Sequence, residues 1–307
     1  MSAEEEAAEE VCASCGKAEV DEIKLKNCAC NLVKYRSVAC QKNHRPQHKK
    51  ACKKRMAEIR DDDLFKQPDE CYLGECPICC LPLPLDQSKS TINSCCCKFI
   101  CDGCDWANKK REIEQGLVHK CPYCREPIPD TGEEIERNLM KRIKANDPVA
   151  LYQMGGRCDG KGDYEGSFEY LTKAAGLGDI DAHYNLSVMY GGGKGAEKDL
   201  KKQLYHLEEA AIGGHRDARF NLGNREQRNG RYDRATRHYI IAAKLGDGEA
   251  LETVKKYFRH GYVSKEDFEA ALRGHQAALD ATKSAEREEA EEHYKVTGYD
   301  VYRKCCS

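Results

Sequence analysis

A chain of 307 residues with 50 basic and 52 acidic side chains, a net charge of −2 and 7% aromatic residues is long enough for two or three domains, and it argues against a dedicated nucleic-acid binder. Its twenty cysteines exceed what an ordinary globular core uses, and seventeen of them fall between Cys12 and Cys124, leaving only Cys158, Cys305 and Cys306 beyond. Residues 1–10 carry Glu4, Glu5, Glu6, Glu9 and Glu10 and read as an acidic, disordered tail without the basic start and apolar segment of an export signal. No stretch approaches the ~20 consecutive apolar residues of a membrane span. The expectation is a soluble protein of the reducing cytoplasm or nucleus, where dense paired cysteines read as metal ligands and zinc is the default ion.

The first cysteine module is expected over residues 11–55. Its candidate ligands run Cys12-x2-Cys15, Cys28-x-Cys30, Cys40, His44, His48 and Cys52. Short Cys-x-Cys and Cys-x2-Cys knuckles place two thiolates on one tetrahedral ion, and residues four apart on a helix, such as His48 and Cys52, share a face. Metal cross-links of this kind replace a hydrophobic core too small to fold unaided. The run Lys34 to Cys52, with its Cys40-Gln41 pair and the spacing to His48 and Cys52, resembles a MYND finger. The resemblance implies one zinc on Cys12, Cys15 and Cys40 and a second on Cys28, Cys30, His48 and Cys52. It also implies binding of short proline-containing peptides. This sequence departs from the pattern in three places. Arg36 stands where a cysteine belongs after Tyr35, Arg45 stands at the usual tryptophan, and the Cys28–Cys30 knuckle is one residue short. His44 as the missing ligand, water, and loss of that zinc are the alternatives at this site. Residues 41–60 hold eight basic side chains against Glu58 alone, and Asp61-Asp62-Asp63 follows. They read as a solvated helix face, or as a nuclear-localisation patch. Residues 56–70 are expected to be a linker.

The second module is expected over residues 71–130. Cys76-Pro77-Ile78-Cys79 opens it, the triplet Cys95-Cys96-Cys97 follows, then Cys101-x2-Cys104, and Cys121-Pro122-Tyr123-Cys124 closes it. Four pairs in this order fit a two-zinc cross-brace, with the first and third pairs on one ion and the second and fourth on the other. This resembles an all-cysteine RING finger, in which Lys98 stands at the place of the usual histidine. Related fingers have glycine at the position of Cys97, which favours Cys95 and Cys96 as the second pair; knuckle spacing favours Cys95 and Cys97 instead. The resemblance implies a ubiquitin ligase that docks a ubiquitin-conjugating enzyme and works by positioning, with no covalent intermediate. It assigns docking to Ile78, Trp106 and Pro127, and contact with both enzyme and ubiquitin to Arg125. Many active members carry an apolar anchor where this chain has Asn108. Cys71 and Cys80 are left as free thiols, and His119 as a surface histidine.

Residues 131–145 read as a linker helix, and a repeat array is expected over 146–280. Ala174-Ala175, Ala210-Ala211 and Ala242-Ala243 are each followed by a glycine (Gly178, Gly214, Gly246) and a further alanine (Ala182, Ala218, Ala250), the blocks starting 36 and 32 residues apart. Aromatic residues at Tyr152, Tyr184 and Phe220 and apolar residues at Met154, Leu186, Leu222 and Val254 keep the same phase. Small alanines let paired helices approach closely, and the glycine ends one helix before the next begins. The pattern resembles Sel-one-like repeats, relatives of tetratricopeptide repeats, with three clear units and a degenerate fourth in which Glu252 takes the aromatic position. Gly191-Gly192-Gly193-x-Gly195 lacks the strand and the Gly-Lys-Ser/Thr ending of a phosphate loop. Residues 281–307 read as a capping helix and tail, and the cysteines of the final Lys-Cys-Cys-Ser are misplaced for prenylation.

The whole is therefore expected to be mainly α, with two small zinc-stapled modules, three to four zinc ions and a helical-hairpin solenoid. The function expected is a RING-type ubiquitin ligase capturing substrate in the repeat groove; the alternative is a non-catalytic scaffold joining proteins. The expected partners are proteins, not a small-molecule substrate, a membrane or nucleic acid.

Overall fold

The computed structural model describes residues 11–17, 24–68 and 72–297, and the chain divides into two compact units, Met1–Lys66 and Gln67–Ser307. The acidic tail, Cys71, Cys305 and Cys306 lie outside the described residues.

In the first unit, strands β1 (Lys26–Asn27) and β2 (Lys34–Tyr35) pair antiparallel, Lys26 opposite Tyr35. A single helix follows, α1 (Val38–Phe65), opened by Ser37, whose hydroxyl accepts from the Cys40 N–H at 3.2 Å. Helix α1 runs through most of the segment expected as a linker. Residues 56–60 are mostly good helix formers, and Lys54 and Arg55 pair with Glu58 along the helix surface. Its basic residues Lys42, Lys49, Lys50, Lys53 and Lys54 are exposed, as a solvated face requires.

The second unit begins with a cysteine-rich module. Strands β3 (Ser90–Asn93) and β4 (Lys98–Cys101) form an antiparallel hairpin, and α2 (Asp102–Glu114) follows directly. Its core is small: buried Leu83 and Ile100 among the cysteines, with Leu73, Phe99 and Ile128 around them. Helix α3 (Gly132–Lys144) then leads into an array of paired helices: α4 (Pro148–Gly160) with α5 (Tyr164–Gly176), α6 (Ile180–Gly192) with α7 (Leu200–Ile212), α8 (Arg216–Arg228) with α9 (Tyr232–Lys244), and α10 (Gly248–Arg259) with α11 (Lys265–Ala281). Helix α12 (Ala285–Thr297) ends the described chain. Among the described residues no helix is long and apolar enough to cross a membrane.

The repeat signature has a local cause at each joint. Gly178, Gly214 and Gly246 adopt positive φ near 90°, ending the second helix of each pair, and the next residue caps the following helix. Asp179 accepts from the Ala182 N–H, His215 from Ala218 and Asp247 from Ala250. The same joint precedes α4, where Asn146 (φ 56°) replaces the glycine and Asp147 caps. Helix α3, expected as a linker, is thus the second-helix partner at the start of the array. The paired alanines are buried, as close packing demands.

A second small residue recurs inside the first helices. A Cβ on Gly223 would lie 2.5 Å from the ring of Tyr239 on α9, and one on Gly155 would lie 2.9 Å from Leu171 on α5. Tyr239 is fully buried, and its hydroxyl is fixed at 2.8 Å to both Asn224 Oδ1 and Gln227 Oε1, so it has little room to retreat. Gly223→Ala is expected to destabilise the array by about 1–3 kcal/mol through overpacking, despite alanine's better helix propensity. Thermal unfolding of the full chain measures this; an unchanged or raised midpoint would show that α8 and α9 are not locked at this contact.

Candidate metal centres

Three of the cysteine knuckles are built alike. The N–H of the first cysteine donates five residues ahead (Cys12 to Lys17, Cys76 to Leu81, Cys121 to Glu126, at 2.9, 2.9 and 2.8 Å), and its carbonyl accepts four ahead. The residue after the second cysteine is left-handed in each: Gly16 at φ 68°, Cys80 at 56° and Arg125 at 63°. This tight turn aims both sulfurs to one side, and it gives Cys80 and Arg125 backbone roles that the sequence reading did not assign.

The structure gathers four groups of candidate ligands, the ligand atoms in each lying within 4.8 Å of one another. The first comprises Cys28, Cys30, His48 and Cys52, with Cys28 Sγ 3.7 Å from Cys52 Sγ and Cys30 Sγ 3.0 Å from His48 Nε2. The hairpin supplies two sulfurs from a turn containing Asn31 (φ 57°), and α1 supplies His48 and Cys52 one turn apart. The second group is Cys12, Cys15 and Cys40. His44 joins neither: its Nδ1 lies 2.9 Å from the Tyr35 hydroxyl, and its ring stacks on that of His48.

The other two groups interlock. Cys76 and Cys79 meet Cys101 and Cys104, while Cys95 and Cys96 meet Cys121 and Cys124. Cys79 Sγ lies 3.8 Å from Cys101 Sγ, and Cys96 Sγ lies 3.8 Å from Cys121 Sγ. Pairs one and three share a centre, and pairs two and four share the other. Cys101 takes the N-cap position of α2, without a side-chain capping bond, and Cys104 sits in its first turn. Hydrogen bonds among the crowded sulfurs split their proton affinities. The bond to Cys101 drives Cys76 far down and Cys104 far up; Cys95 and Cys121 divide in the same way, Cys121 low and Cys95 high. Four thiols this close cannot all ionise without a cation among them.

Within the triplet, Cys97 takes the left-handed position (φ 52°) and turns away, packing against Ile135, Leu139 and Met154. Burial holds it a thiol, its pKa raised to about 11. The glycine usual at that position in related fingers was the signal for this turn.

The proposed docking residues are differently placed. Ile78 is 42% exposed, and Arg125 and Pro127 are exposed beside the last knuckle. Asn108 is buried, accepting from Arg125 and Arg111 at 2.9 Å and donating to the Lys120 carbonyl, so it ties α2 to that knuckle. Trp106 is not the open anchor expected, because its ring stacks on His293 of α12 with centroids 3.6 Å apart. Helix α12 lies along α2 where Gly103 permits it: a Cβ there would sit 2.8 Å from the Arg287 nitrogen. Arg287 donates to the Pro82 carbonyl at 2.8 Å and reaches Cys79 Sγ at 3.5 Å, while Lys110 pairs with Glu289 and Lys89 with Glu291. His119 joins none of the ligand groups; partly exposed, it places its Nδ1 2.6 Å from the Glu112 carboxylate.

The array also receives the module. His215 is buried between Tyr72 and Tyr184, ring centroids at 4.7 and 4.3 Å. Arg216 donates to the Leu85 carbonyl at 2.7 Å, and Leu85 packs against Gly246. Part of the repeat surface expected to hold other proteins is taken by the chain's own residues 72–85.

Comparison with known proteins agrees with two of the parts. Residues 12–52 match the MYND finger, and residues 148–179, 180–215 and 216–247 match the Sel1 repeat. Among solved structures, a Sel1 repeat protein from Oxalobacter formigenes aligns at 21% identity over 62% of this chain and 86% of that one, with a TM-score of 0.41. The protein c5321, a protective antigen present in uropathogenic Escherichia coli strains displaying an SLR fold, aligns at 19% identity over 62% of this chain and 43% of its own, with a TM-score of 0.40. Comparison with curated proteins returns no match. The chain thus joins a MYND finger, Cys/His clusters compatible with several zinc ions, and a Sel1 repeat array, the parts of a protein-interaction scaffold.

If Cys96 is a ligand and Cys97 a packing residue, Cys96→Ser should lower the zinc count of the chain by one in native mass spectrometry. Cys97→Ser should leave the count unchanged and only loosen α3. Loss of zinc from Cys97→Ser alone would reverse the assignment.

Proposed function

We propose that residues 72–130 form a RING-type module that docks a ubiquitin-conjugating enzyme, within a scaffold of the cytoplasm or nucleus whose MYND finger and free repeat surfaces hold the substrate protein. The observation that carries this reading is the interlocked pairing of four cysteine pairs, first with third and second with fourth. In this reading Cys76, Cys79, Cys101 and Cys104 hold one zinc, and Cys95, Cys96, Cys121 and Cys124 another. Cys28, Cys30, His48 and Cys52 hold a third, and Cys12, Cys15 and Cys40 complete the set. The eight-cysteine cross-brace is closed and structural, with every ligand from the chain. Ile78 projects from the first knuckle between two ligands and is free to meet a partner, as is Pro127 beyond the last. Arg125 is oriented by Asn108 at the rim, where it can steady a bound ubiquitin. Catalysis would consist of holding a charged enzyme in a reactive pose. Substrate contact falls to repeat surfaces left open, such as exposed Val188 on α6 and Tyr205 on α7.

A second reading has its own support. Trp106 is covered by α12, and Asn108 is spent on internal hydrogen bonds. In a non-catalytic scaffold the same cross-brace only anchors the array.

Self-ubiquitination across a panel of conjugating enzymes separates the two. Activity is expected for the wild type, and Ile78→Ala should lower it about tenfold or more with all zinc retained, the ~2 kcal/mol typical of an interface anchor. Silence of the zinc-loaded wild type across the whole panel would leave the scaffold.

A further inference from the structure

Arg287, in the first turn of α12, is a buried cation without a carboxylate. It is 9% exposed, yet no aspartate or glutamate among the described residues pairs with it. One guanidinium nitrogen, Nη1, donates to the Thr282 and Pro82 carbonyls at 2.6 and 2.8 Å. The other, Nη2, reaches the Leu81 carbonyl and Cys79 Sγ, each at 3.5 Å. Cys101 lies beside the same guanidinium. A charge taken out of water among neutral acceptors is costly. The counter-ion within reach is the sulfur group of Cys76, Cys79, Cys101 and Cys104.

The chemistry of that group fits the need. Four thiolates on one zinc leave a doubly negative centre, and outer hydrogen bonds to metal-bound ligands fix their orientation and tune the affinity for the ion. Cys76 and Cys101 are buried while Cys79 is partly exposed, so Arg287 lies against a sulfur that the module does not bury by itself. The other contacts of α12 are weaker anchors. Lys110–Glu289 and Lys89–Glu291 are ion pairs between well-exposed side chains, which contribute little. Apart from Arg287, α12 buries Ala290 and stacks His293 on Trp106.

We propose that Arg287 is a positioning residue of the metal centre formed by Cys76, Cys79, Cys101 and Cys104, through which the seating of α12 on α2 and the retention of that zinc support each other. This rests on the reading of these four cysteines as a zinc site. Seating α12 brings the guanidinium to Cys79 and holds the ion; the loaded centre supplies the negative charge that holds Arg287, and with it α12 over Trp106. Such linkage is reciprocal, so lifting α12 loosens the ion and losing the ion loosens α12. The centre of Cys95, Cys96, Cys121 and Cys124 takes no part, because no bond from Arg287 reaches its sulfurs.

Chelator-driven zinc release from the full chain, followed with a colorimetric zinc indicator, tests this. Emission from Trp106, the single tryptophan, reports whether α12 is seated. Arg287→Gln is expected to speed the loss of one ion about tenfold or more and to leave the others at their wild-type rates. Arg287→Lys, which keeps the charge and an N–H donor, should recover part of that retention. Cys79→Ser should lower the zinc count by one in native mass spectrometry, and the fast phase should be missing when it is combined with Arg287→Gln. Glu289→Lys breaks the pair with Lys110 without touching a sulfur. It should lift α12 and speed the same ion, which keeps the test decisive if Arg287→Gln disturbs folding. An unchanged release rate in either variant with α12 lifted would overturn the proposal, as would equal acceleration of every ion, the mark of a general loss of stability. A zinc count that Cys79→Ser leaves unchanged would instead overturn the zinc reading on which the proposal stands.

Discussion

Thiol groups crowded within 4.8 Å of one another set the terms for both cysteine-rich modules. Brought together without a cation, their protons would have to be shared unequally, as the opposed shifts of Cys76 and Cys104 record. With zinc among them, all become thiolates and the repulsion becomes a cross-link, so the geometry of the knuckles and the stability of the modules are one problem. The apolar core around Leu83 and Ile100 is too small to hold the second module alone. Interlocking the two centres fixes the β3–β4 hairpin, the start of α2 and both outer knuckles at once. The left-handed residue after three of the knuckles follows from the same demand, since the tight turn there presents two sulfurs to one ion.

From that fixed module the remaining contacts of the second unit extend outward. Cys97, turned away from the metal by its backbone, becomes a packing residue for α3, and α3 begins the stack of helices. Tyr72 and Leu85 lie on the array at His215 and Gly246, and α12 returns to cover α2. The zinc-ligating loops and the repeats are therefore not beads on a string within this unit. A boundary near residue 140 would cut through packed surfaces, because Arg287 is bonded to the first knuckle.

What could be read in the sequence depended on how local its cause is. The mainly helical fold and the repeat phase were visible because Ala-Ala, glycine and the following cap act within nine residues of one another, as in Ala174 to Ala182. The cysteine pairs were visible because knuckle spacing is itself local, while which pairs share a centre was implied only by the resemblance to MYND and RING fingers. Three features were hidden for physical reasons. Asn146 does the work of the joint glycine, a substitution that composition alone does not flag, so α3 read as a linker. The choice among Cys95, Cys96 and Cys97 turned on a single φ angle. The covering of Trp106 depended on His293, almost two hundred residues away, and no periodicity near either residue records the pairing. The helical run beyond Glu58 was obscured because an acidic cluster after a basic stretch looks like a linker while its residues still favour helix.

The bonds from Arg287 to Pro82 and Cys79 span 205 and 208 positions of the chain. During synthesis the metal module emerges first, and its α2 surface stays bare until every repeat has been made and stacked. Closing so long a segment would cost considerable entropy if the intervening chain were slack, but a folded array delivers α12 at a set distance. The repeats thus act as a ruler, and removing or inserting one unit would carry α12 past α2 even with every residue of both helices intact. The number of repeats is consequently fixed by the cap as well as by whatever the array binds.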